Sequence, residues 1–479
     1  MNLIILPNQL FPLNMIQKTT ITKVILIEEP RYFTDFKFHK LKLIYHRASM
    51  KKYEQELKKN KIQTQYIEFN KVSYASLNNK NTYYFNPIDH KLENKFDKLL
   101  SRANKLDNLN FLLTPKEVED NKHIFYKNNK YSHDSFYKFQ RKKLDILIKD
   151  DEPVGGKWSY DTENRLPLPK GIKIPPLPKN KKDKYYHEAK EYIEKHFNNN
   201  YGSTEEFVFP IDNKSAIKWL KVFLIKRLNN FGPYEDAVDT DNNFLFHSVL
   251  SPMMNIGILP DKQVVDISKK YYDKNKSKIS LQSFEGFIRQ VIGWRNYVYA
   301  IYILEPKMYE ENFLKHKNKI SEHYWIGDTG IKPLDSIIKN VVKYSYIHHI
   351  ERLMYMGNWF LINCVDPKEV HRIFMEWTID AYDWVMVPNV MGMSQYADGG
   401  KMMTRIYFSS SNYIDKMSSF KKKKGEEWWK IWDAIYYSFI NKHSELLSKN
   451  YATSRQVAHW KKKSSKEKEM LLKIANDNK

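Results

Sequence analysis

The chain of 479 residues carries 79 Lys and Arg against 56 Asp and Glu, a formal net charge of +23. A surplus of this size favours a polyanionic partner such as nucleic acid, because a protein that neutralises phosphates releases their condensed counterions. A merely solvated, lysine-rich surface is the alternative. The single cysteine, Cys364, excludes an internal disulfide and an all-cysteine metal cage. No stretch approaches the roughly eighteen apolar residues of a membrane span, so we expect a cytoplasmic protein without a membrane partner.

The first 130 residues alternate short apolar runs with amphipathic, lysine-rich stretches. This alternation predicts an α/β, Rossmann-like domain with a parallel sheet over residues 1–130. Ligands of such sheets bind beyond the carboxyl ends of the strands, which makes the turn with Asn8 and Gln9 a candidate rim, although no GxGxxG motif follows it. We predict strands at Leu3–Leu6, Val24–Glu28, Ile62–Phe69, Thr82–Phe85 and Leu109–Leu113, and helices at Arg47–Lys59 and Ile88–Lys105.

The composition changes after residue 130. Proline and glycine accumulate between residues 151 and 183, so we predict a connector with an extended linker over residues 131–204. Residues 205–450 have helical periodicity and predict an all-α domain. Within it, Asp366 followed by Pro367 predicts a capped helix start, with a buried face that continues to Ala381 and Trp384. Residues 451–479 are predicted to be a basic tail that frays or contacts phosphates.

Common catalytic signatures are missing from the sequence. It has no GxxxxGKS/T, HExxH or GxSxG motif, which disfavours an NTPase, a zinc hydrolase or a serine hydrolase. Ser248 and Ser251 precede an apolar helix, where their hydroxyls would either cap it or present its N-terminus to a phosphate. Gln290, Trp294 and Arg295 lie on an otherwise apolar helix, and an arginine there needs either an anionic cofactor or a carboxylate.

Three further groups in the helical part have chemical content. His348 and His349 are adjacent on a predicted helix, so one can be buried while the other faces a cavity, although a single histidine is more often a core residue than a catalyst. The Gly- and Met-rich stretch from Asp380 to Gly400 favours a ligand-binding turn. Tyr407 and Tyr413 stand among small polar residues and are able to stack on bases, although surface tyrosines are commonly inert.

These groups occur in an order that is typical of a known family. The chain resembles the prokaryotic photolyase–cryptochrome family that includes bacterial (6-4) photolyases and iron–sulfur-containing relatives. The resemblance implies an α/β antenna-type domain followed by an all-α, FAD-binding catalytic domain. It depends on segments between Val154 and Ser418, namely VGGKWSYDTENR, FGPYEDAV, HSVLSP, EGFIRQVIGWRNYV, YIHHIERLM, PNVMGMSQYADGG and SNYIDKMS, and more weakly on ILPNQL near the N-terminus.

The resemblance also implies a function and the residues that perform it. The expected activity is light-driven repair of UV-induced pyrimidine dimers in DNA, in the first place (6-4) photoproducts, by electron transfer from photoexcited reduced FAD with His349 as proton donor. Tyr407 and Tyr413 would contact the lesion. An antenna chromophore, typically 6,7-dimethyl-8-ribityllumazine, would lie near Asn8, Gln9 and Glu28. The residues expected to contact FAD are Ser248, Leu250, Ser251, Gln290, Trp294, Arg295, Arg352, Asp380 and Asn389.

The sequence departs from the family pattern in two places. Relatives hold a 4Fe–4S cluster with cysteines at positions that are Pro333, Lys421, Lys424 and Lys430 here, so we expect no cluster. The residues that we expect to close that corner instead are Trp428, Trp429, Trp432, Tyr436 and Tyr437.

The second departure concerns the electron route to the flavin. Trp325 is kept, but the Trp–Tyr pair of relatives is replaced by Ile373 and Phe374. This replacement puts the usual route in doubt, and Trp377 and Trp384 are candidate substitutes.

Two other functions stay open. A cryptochrome-like blue-light photoreceptor would bind FAD and signal without repair, which the altered electron route favours and the retained His349 disfavours. A DNA-binding module without chemistry would require a lost flavin pocket, whose motifs are complete. The expected partner of the repair enzyme is UV-damaged DNA, and we expect a monomer.

Overall fold

The computed structural model describes residues 1–16 and 21–478. Its N-terminal part contains five strands, β1 (Asn2–Ile5), β2 (Lys23–Ile27), β3 (Gln63–Ile67), β4 (Thr82–Phe85) and β5 (Asn104–Leu106). They form a parallel sheet in the order β3-β2-β1-β4-β5. Successive residues of β1 and β2 are buried, so both faces of the sheet are covered, as in α/β proteins. The predicted α/β domain is confirmed.

The fifth strand does not lie where the sequence predicts it. The predicted segment Leu109–Leu113 follows β5 as an irregular loop. Asn110 Nδ2 donates a hydrogen bond to the carbonyl of Met254 (2.7 Å), and Phe111 stacks on Tyr299 with ring centroids 3.9 Å apart. The loop is therefore buried against the helical part rather than in the sheet, because an apolar run indicates burial but not the partner that provides it.

The helices beside the sheet differ from the prediction at their ends. The Lys40–Lys59 helix starts earlier than the predicted Arg47, because the His39 ring accepts a hydrogen bond from the backbone N–H of Leu41 (3.0 Å) and caps it. The helix predicted over Ile88–Lys105 is shorter, since its last residues belong to β5. The helices and short 3-10 turns up to residue 125 are Leu13–Ile16, Pro30–Tyr32, Lys40–Lys59, Phe69–Lys71, Ala75–Leu77, His90–Leu99, Pro115–Asp120 and Lys122–Phe125.

The connector is partly helical. The helices His133–Leu144 and Lys184–His196 lie near its two ends. Between residues 154 and 183, all of which are described, the 3-10 turn Asp161–Glu163 is the only regular element, as the proline and glycine content predicts. Two short antiparallel pairs flank the first helix, Tyr126–Lys127 with Lys130–Tyr131 and Ile148–Lys149 with Glu152–Pro153.

The chain after the connector is helical, which confirms the all-α part. The Pro367–Trp377 helix begins as predicted, with the Asp366 carboxylate accepting from the backbone N–H of Lys368 (2.9 Å). It ends before Ala381 and Trp384, which the prediction placed on its buried face. Among the described residues no helix is long and apolar enough to cross a membrane. The α-helices up to residue 449 are Asn213–Lys226, Leu228–Phe231, Ser251–Asn255, Asp261–Lys274, Leu281–Ile288, Asn296–Leu304, His323–Ile326, Lys332–Tyr344, Asn358–Ile362, Pro367–Trp377, Asp383–Val387, Ser411–Met417, Trp428–Lys442 and Ser444–Lys449, with a 3-10 turn at Met308–Glu310.

The segment after residue 450 is folded, so the prediction of a fraying tail is wrong. It forms the helices Tyr451–Lys461 and Ser465–Asp477. Trp460 anchors the first of them: its ring stacks on Tyr437 with centroids 5.6 Å apart, and its indole N–H donates to Asn441 Oδ1 (3.1 Å). The basic composition of the segment does not predict these few buried contacts, which attach the segment to the rest of the helical part.

The sheet domain packs directly on the loop that follows Trp377. The buried Lys42 ammonium donates to the carbonyl of Ala381 (2.5 Å), and the His46 ring lies 2.7 Å from the hydroxyl of Tyr382. Burial lowers the pKa of Lys42 to about 7. These bonds fix the position of Asp380, the residue before Ala381, relative to the sheet.

Candidate functional site

Three π-helical segments form the framework of the site. They are π1 (Arg289–Arg295) and π2 (Glu351–Gly357), which lie between α-helical turns, and π3 (Pro388–Ser394), which continues the Asp383–Val387 helix to its end. π-Helical turns are rare and occur frequently at functional sites. Gly357 allows π2 to lie against π3, since a Cβ atom on it would stand 2.7 Å from the carbonyl oxygen of Arg352 and 3.0 Å from Ser394 Cβ. Sequence periodicity missed all three segments.

The three segments line a cavity of about 640 Å³. This volume lies within the range of about 300–1,000 Å³ that is usual for small-molecule and cofactor sites. The remaining wall comes from the loop and short helix of residues 247–255, from the connector and from residues 380–413. The structure brings to this one cavity Ser248, Leu250, Ser251, Gln290, Trp294, Arg295, His349, Arg352, Asp380, Trp384, Asn389, Tyr407 and Tyr413, all of which the sequence singled out.

One side of the cavity is built around the Asp380 carboxylate. Arg352 donates to it at 2.8 and 3.0 Å, and the Ser251 hydroxyl donates to it at 2.6 Å. Capping, one of the two roles left open for the serines, is absent, because the Ser251–Asn255 helix has Leu250 at its N-cap position and no side-chain cap bond. Ser251 instead joins the start of that helix to the Asp380 loop.

Arg295 and Asn389 present unsatisfied polar atoms to the same cavity. Arg295 Nε donates to Asp261 Oδ1 (2.6 Å), and its guanidinium lies over the Trp384 ring at 4.7 Å. Its Nη2 is buried without a hydrogen-bond partner in the part of the chain that the structure describes, and so is Asn389 Oδ1. Buried polar groups are seldom left unsatisfied, so these atoms fit a polar, anionic ligand in the cavity.

Acidic groups that the sequence analysis missed lie beside π1. Gln290 donates to Glu235 Oε1 (2.6 Å), and Asn164 donates to Glu235 Oε2 (3.2 Å). Burial raises the pKa of Glu235 to about 8 and that of Asp236 to about 6. Both carboxyls line the cavity. The segment FGPYEDAV contains them, but nothing in its local pattern indicates that Glu235 pairs with Gln290.

The two adjacent histidines have different surroundings. His348 is 1% exposed and stacks on His247 with ring centroids 4.3 Å apart. The His349 ring is open to the cavity, 6.3 Å from the Trp294 ring. Desolvation by the cavity wall, and secondly the charge of Arg352, lower the pKa of His349 to about 4. His349 is therefore neutral at pH 7 unless an anion enters the cavity and offsets Arg352.

The two predicted lesion-contacting tyrosines lie on the open side of the cavity. Both are half-buried, and burial raises the pKa of each phenol. The exposed Arg405 guanidinium lies 5.2 Å from the centroid of the Tyr407 ring, and the exposed Arg165 also lines this side. Aromatic rings beside arginines are suited to stacking on bases and to contact with phosphates.

The candidate electron-transfer residues fall into two groups. Trp384 lines the cavity, whereas Trp325 and Trp377 lie outside its lining. The Trp325 and Trp377 rings are 6.1 Å apart, and Trp377 is 6.3 Å from Phe374, which lines the cavity. Trp325 is half-buried. A row of aromatic rings thus joins the surface to the cavity, with a phenyl ring at its inner end.

Three of the five aromatic residues that we expected to close the corner of the missing cluster, Trp428, Trp432 and Tyr436, are buried. Trp432 is fully buried and contacts Trp359 with ring centroids 4.8 Å apart. Tyr436 packs against Phe408 at 5.6 Å. Pro333 is buried, and the other three of the four positions, Lys421, Lys424 and Lys430, are exposed.

The three candidate antenna residues are buried in the sheet domain, away from the lining of the cavity. Asn8 Nδ2 donates to the Tyr32 hydroxyl (3.1 Å), and Gln9 Nε2 donates to the carbonyl of Phe85 (3.1 Å). The Glu28 carboxylate accepts from Arg47 (2.8 Å) and from other groups. Most polar atoms of these three side chains are therefore already hydrogen-bonded within the domain. Asn8 Oδ1 is an exception, since it is buried without a partner among the described residues.

Two solved structures with a similar fold are a photolyase and a cryptochrome. A class III photolyase of Agrobacterium tumefaciens matches with a TM-score of 0.57 and 14% identity, over 87% of this chain and 86% of that one. A cryptochrome of Synechocystis matches with the same TM-score and identity, over 87% of this chain and 88% of that one. The α/β sheet domain, the connector and the helical domain around its cavity therefore define the photolyase–cryptochrome fold class.

Sequence comparisons find similarity to a narrower group of proteins. The model of the deoxyribodipyrimidine photo-lyase-related protein family matches residues 3–209. A (6-4) photolyase of Agrobacterium fabrum is 36% identical over 334 residues, which span 68% of this chain and 65% of that protein. Residues 3–209 of the chain are thus similar to deoxyribodipyrimidine photo-lyase-related proteins. The matched stretch spans just under two thirds of the length of this curated relative.

Proposed function

We propose that this protein is a DNA photolyase of the (6-4) type that binds FAD and repairs UV-damaged DNA in light. The observation that carries the proposal is the single cavity, which brings together the nine residues expected to contact FAD, His349, Tyr407 and Tyr413. The 36% identical relative is a (6-4) photolyase, which supports the same lesion. When bound, a reduced flavin would supply the light-driven electron. The chain would hold the cofactor, donate the proton and contact the lesion.

The polar groups of the cavity wall would hold the cofactor. Arg295 Nη2 and Asn389 Oδ1 lack partners among the described residues and are available to a phosphate and a ring amide, respectively. Arg352 is held by Asp380 and contributes a second positive charge. The burial of these groups excludes water, which strengthens each of their bonds to a ligand. The donor set fits an anionic, hydrogen-bonding cofactor of the size of FAD.

His349 would provide the proton that (6-4) repair requires. Its ring is open to the cavity, and its pKa of about 4 keeps it neutral before DNA binds. Entry of a phosphate would raise that pKa, because a nearby anion favours the charged imidazole. Tyr407, Tyr413 and Arg405 would hold the flipped lesion by stacking and by phosphate contact. All these groups belong to one chain, and we propose that it acts as a monomer in the cytoplasm.

An antenna chromophore, 6,7-dimethyl-8-ribityllumazine, stays a prediction for the sheet domain. Asn8 Oδ1 offers a free acceptor in the described part of that domain. The bonds of Gln9 and Glu28 to other groups of the chain would have to open for either side chain to contact a chromophore.

The test is an assay of light-dependent repair on DNA that carries a single (6-4) product or a single cyclobutane dimer. We expect a yellow protein that repairs the (6-4) product in light and not in the dark. His349→Ala should retain flavin and lose repair by about 10²- to 10⁴-fold, the usual contribution of a proton donor. His323→Ala, an exposed histidine outside the cavity, is the matched control. A colourless protein would refute the proposal, and full repair by His349→Ala would refute the role of His349.

A cryptochrome-like photoreceptor is the second candidate. The observation that favours it is Phe374, a phenyl ring at the inner end of the aromatic row where relatives carry a more readily oxidised ring. A yellow protein that repairs neither lesion in light, but whose flavin responds to blue light, would support the photoreceptor over the enzyme.

A further inference from the structure

Three separate segments bring two histidines and the only cysteine together, away from the cavity. His316 lies in the loop after the Met308–Glu310 turn, Cys364 follows the Asn358–Ile362 helix, and His443 follows the Trp428–Lys442 helix. One ligand atom from each side chain lies within 4.8 Å of the other two. None of the three belongs to the cavity lining. We propose that these three side chains bind a Zn²⁺ ion that links the Trp428–Lys442 helix, called here the aromatic helix, to the core.

The side-chain geometry is close to that of a tetrahedral site. His316 Nε2 and His443 Nε2 face each other at 3.0 Å, with ring centroids 5.1 Å apart. Zinc bonds of about 2.0–2.1 Å to nitrogen and 2.3 Å to sulfur place tetrahedral ligand atoms about 3.4 Å apart. The imidazole pair therefore already has almost the required separation. The ligand atoms of all three side chains lie within 4.8 Å of one another, so binding of the ion would require only a modest approach of the thiol.

The backbone around the three residues is held in place by its own hydrogen bonds. Asn312 binds both backbone groups of His316: its Oδ1 accepts from the N–H (3.0 Å) and its Nδ2 donates to the carbonyl (2.8 Å). The carbonyl of Cys364 accepts from the N–H of Asn318 (3.1 Å). The N–H of His443 donates to Phe439, at the end of the aromatic helix (3.0 Å). A site with such preformed backbone loses little conformational freedom when the ion binds.

The ligand types select the metal. Two imidazoles and one thiolate suit Zn²⁺ or Cu⁺, whereas Mg²⁺ and Ca²⁺ require oxygen ligands, which this group lacks. The positive charge of Lys442 near both histidines opposes a cation at this place, and the negative charge of the thiolate would offset it. A single thiolate cannot hold an iron–sulfur cluster. Three protein ligands leave the fourth position of Zn²⁺ for a water molecule.

The ion would connect the elements that already pack in this corner. Trp359 lies in the helix that precedes Cys364, and Trp432 lies in the helix that precedes His443. The two indole rings are 4.8 Å apart. A metal bond between these helices would restrict their separation at one end while the indoles pack along their length. The site is independent of flavin binding and of the repair chemistry.

The first test uses the full-length protein without a histidine tag, stripped with a chelator and dialysed against Zn²⁺ or Co²⁺. We expect one equivalent of zinc per chain by elemental analysis. Cobalt should give d–d absorption at wavelengths longer than flavin absorbs, with the intensity of a tetrahedral site. Zinc content below about a tenth of an equivalent, or a cobalt protein without these bands, would show that the two imidazoles share only an N–H···N hydrogen bond, and would overturn the proposal.

A second test uses Cys364 as the only thiol of the chain. Zinc should slow its labelling by a thiol reagent at least tenfold in the wild-type protein and leave the rate unchanged in His443→Gln, since loss of a ligand weakens such sites by 10-fold or more. Cys364→Ser should bind no zinc, and His323→Gln should bind it as the wild type does. Equal zinc content in Cys364→Ser and wild type would refute the ligand set even if the protein binds zinc elsewhere.

Discussion

Glu351 is a carboxyl group that is almost completely removed from water. Its side chain is 2% exposed, and its Oε2 accepts a hydrogen bond from the backbone N–H of His348 (3.1 Å). Burial raises the pKa of Glu351 to about 8. A carboxyl whose folded-state pKa exceeds its unfolded value near 4.5 contributes stability that is complete below pH 4.5 and is lost as the pH rises through 8.

Glu351→Gln should remove this pH dependence, because glutamine resembles the protonated acid and does not ionise. Between pH 6.5 and 8 the free energy of unfolding of the wild type should fall relative to that of the variant by on the order of 2 kcal/mol. Urea unfolding of both proteins across this range measures the difference. Other groups titrate there, among them Lys42, but their contributions cancel in the comparison. Parallel curves would show that Glu351 is ionised in the folded protein.

Single residues of the site differ in how far the sequence predicts them. His349, Arg352 and Tyr413 lie in segments that carry the family resemblance, and the structure brings these residues to one cavity. The sequence does not predict the hydrogen bond between Gln290 and Glu235. It also does not predict that Arg295 Nη2 lacks a hydrogen-bond partner among the described residues. Such pairs join residues that are far apart in the chain, so they depend on tertiary packing, which no local pattern encodes.

At the scale of elements, the three π segments depend on close contacts between helices. A methyl group at Gly357 would meet the carbonyl oxygen of Arg352 within π2 at 2.7 Å and Ser394 Cβ of π3 at 3.0 Å, so Gly357→Ala must distort π2 and crowd its contact with π3. We expect a loss of about 1–3 kcal/mol of unfolding free energy, the usual cost of overpacking, and weaker flavin retention. Denaturant unfolding and the flavin-to-protein absorbance ratio measure the two effects.

The control for this substitution is Gly171→Ala, which meets no atom within 4 Å and pays only the cost of its positive φ. Its flavin content should equal that of the wild type. If Gly357→Ala kept both the flavin content and the stability of the wild type, the close contact at Gly357 would not be required for the shape of the cavity.

The aromatic row through the Pro367–Trp377 helix makes a second prediction for an element. Phe374 stands between Trp377 and the cavity, and a phenyl ring is much harder to oxidise than an indole. Phe374→Trp should therefore accelerate photoreduction of the bound flavin in the presence of an external reductant. The rate of flavin bleaching under blue light measures this. Trp377→Phe should slow it, and equal rates in all three proteins would exclude this route.

The sequence predicts elements well where local chemistry decides them. The Asp366 cap fixes the start of its helix, and β1, β2, β3 and β4 lie at the predicted apolar runs. The prediction of a strand at Leu109–Leu113 is wrong because burial against Tyr299 and burial in a sheet produce the same apolar pattern. Apolar periodicity does not distinguish a π segment from an α-helix, and the packing of the C-terminal helices depends on a few contacts such as the ring stack of Trp460 on Tyr437.

At the scale of the whole molecule, the two domains meet at the residues that hold the cavity wall. Lys42 of the sheet domain binds the carbonyl of Ala381, and Asp380 beside it binds Arg352 in the cavity. The sheet domain therefore supports the helical site through these bonds. This explains why the two domains pack through buried polar bonds rather than through apolar surface alone.

The net charge of +23 makes the last prediction, which concerns DNA binding. Binding of a short duplex should weaken steeply between about 50 and 200 mM salt, since each neutralised phosphate adds about 0.9 to the slope of log affinity against log salt concentration. Arg405→Gln should lower that slope by about one, because Arg405 is exposed beside Tyr407 on the open side of the cavity. Lys58→Gln changes an equally exposed cation that does not line the cavity, and its slope should match the wild type. Fluorescence anisotropy at a series of salt concentrations gives all three slopes. A flat dependence for the wild type would mean that the surplus charge serves solubility and that the cavity does not face DNA.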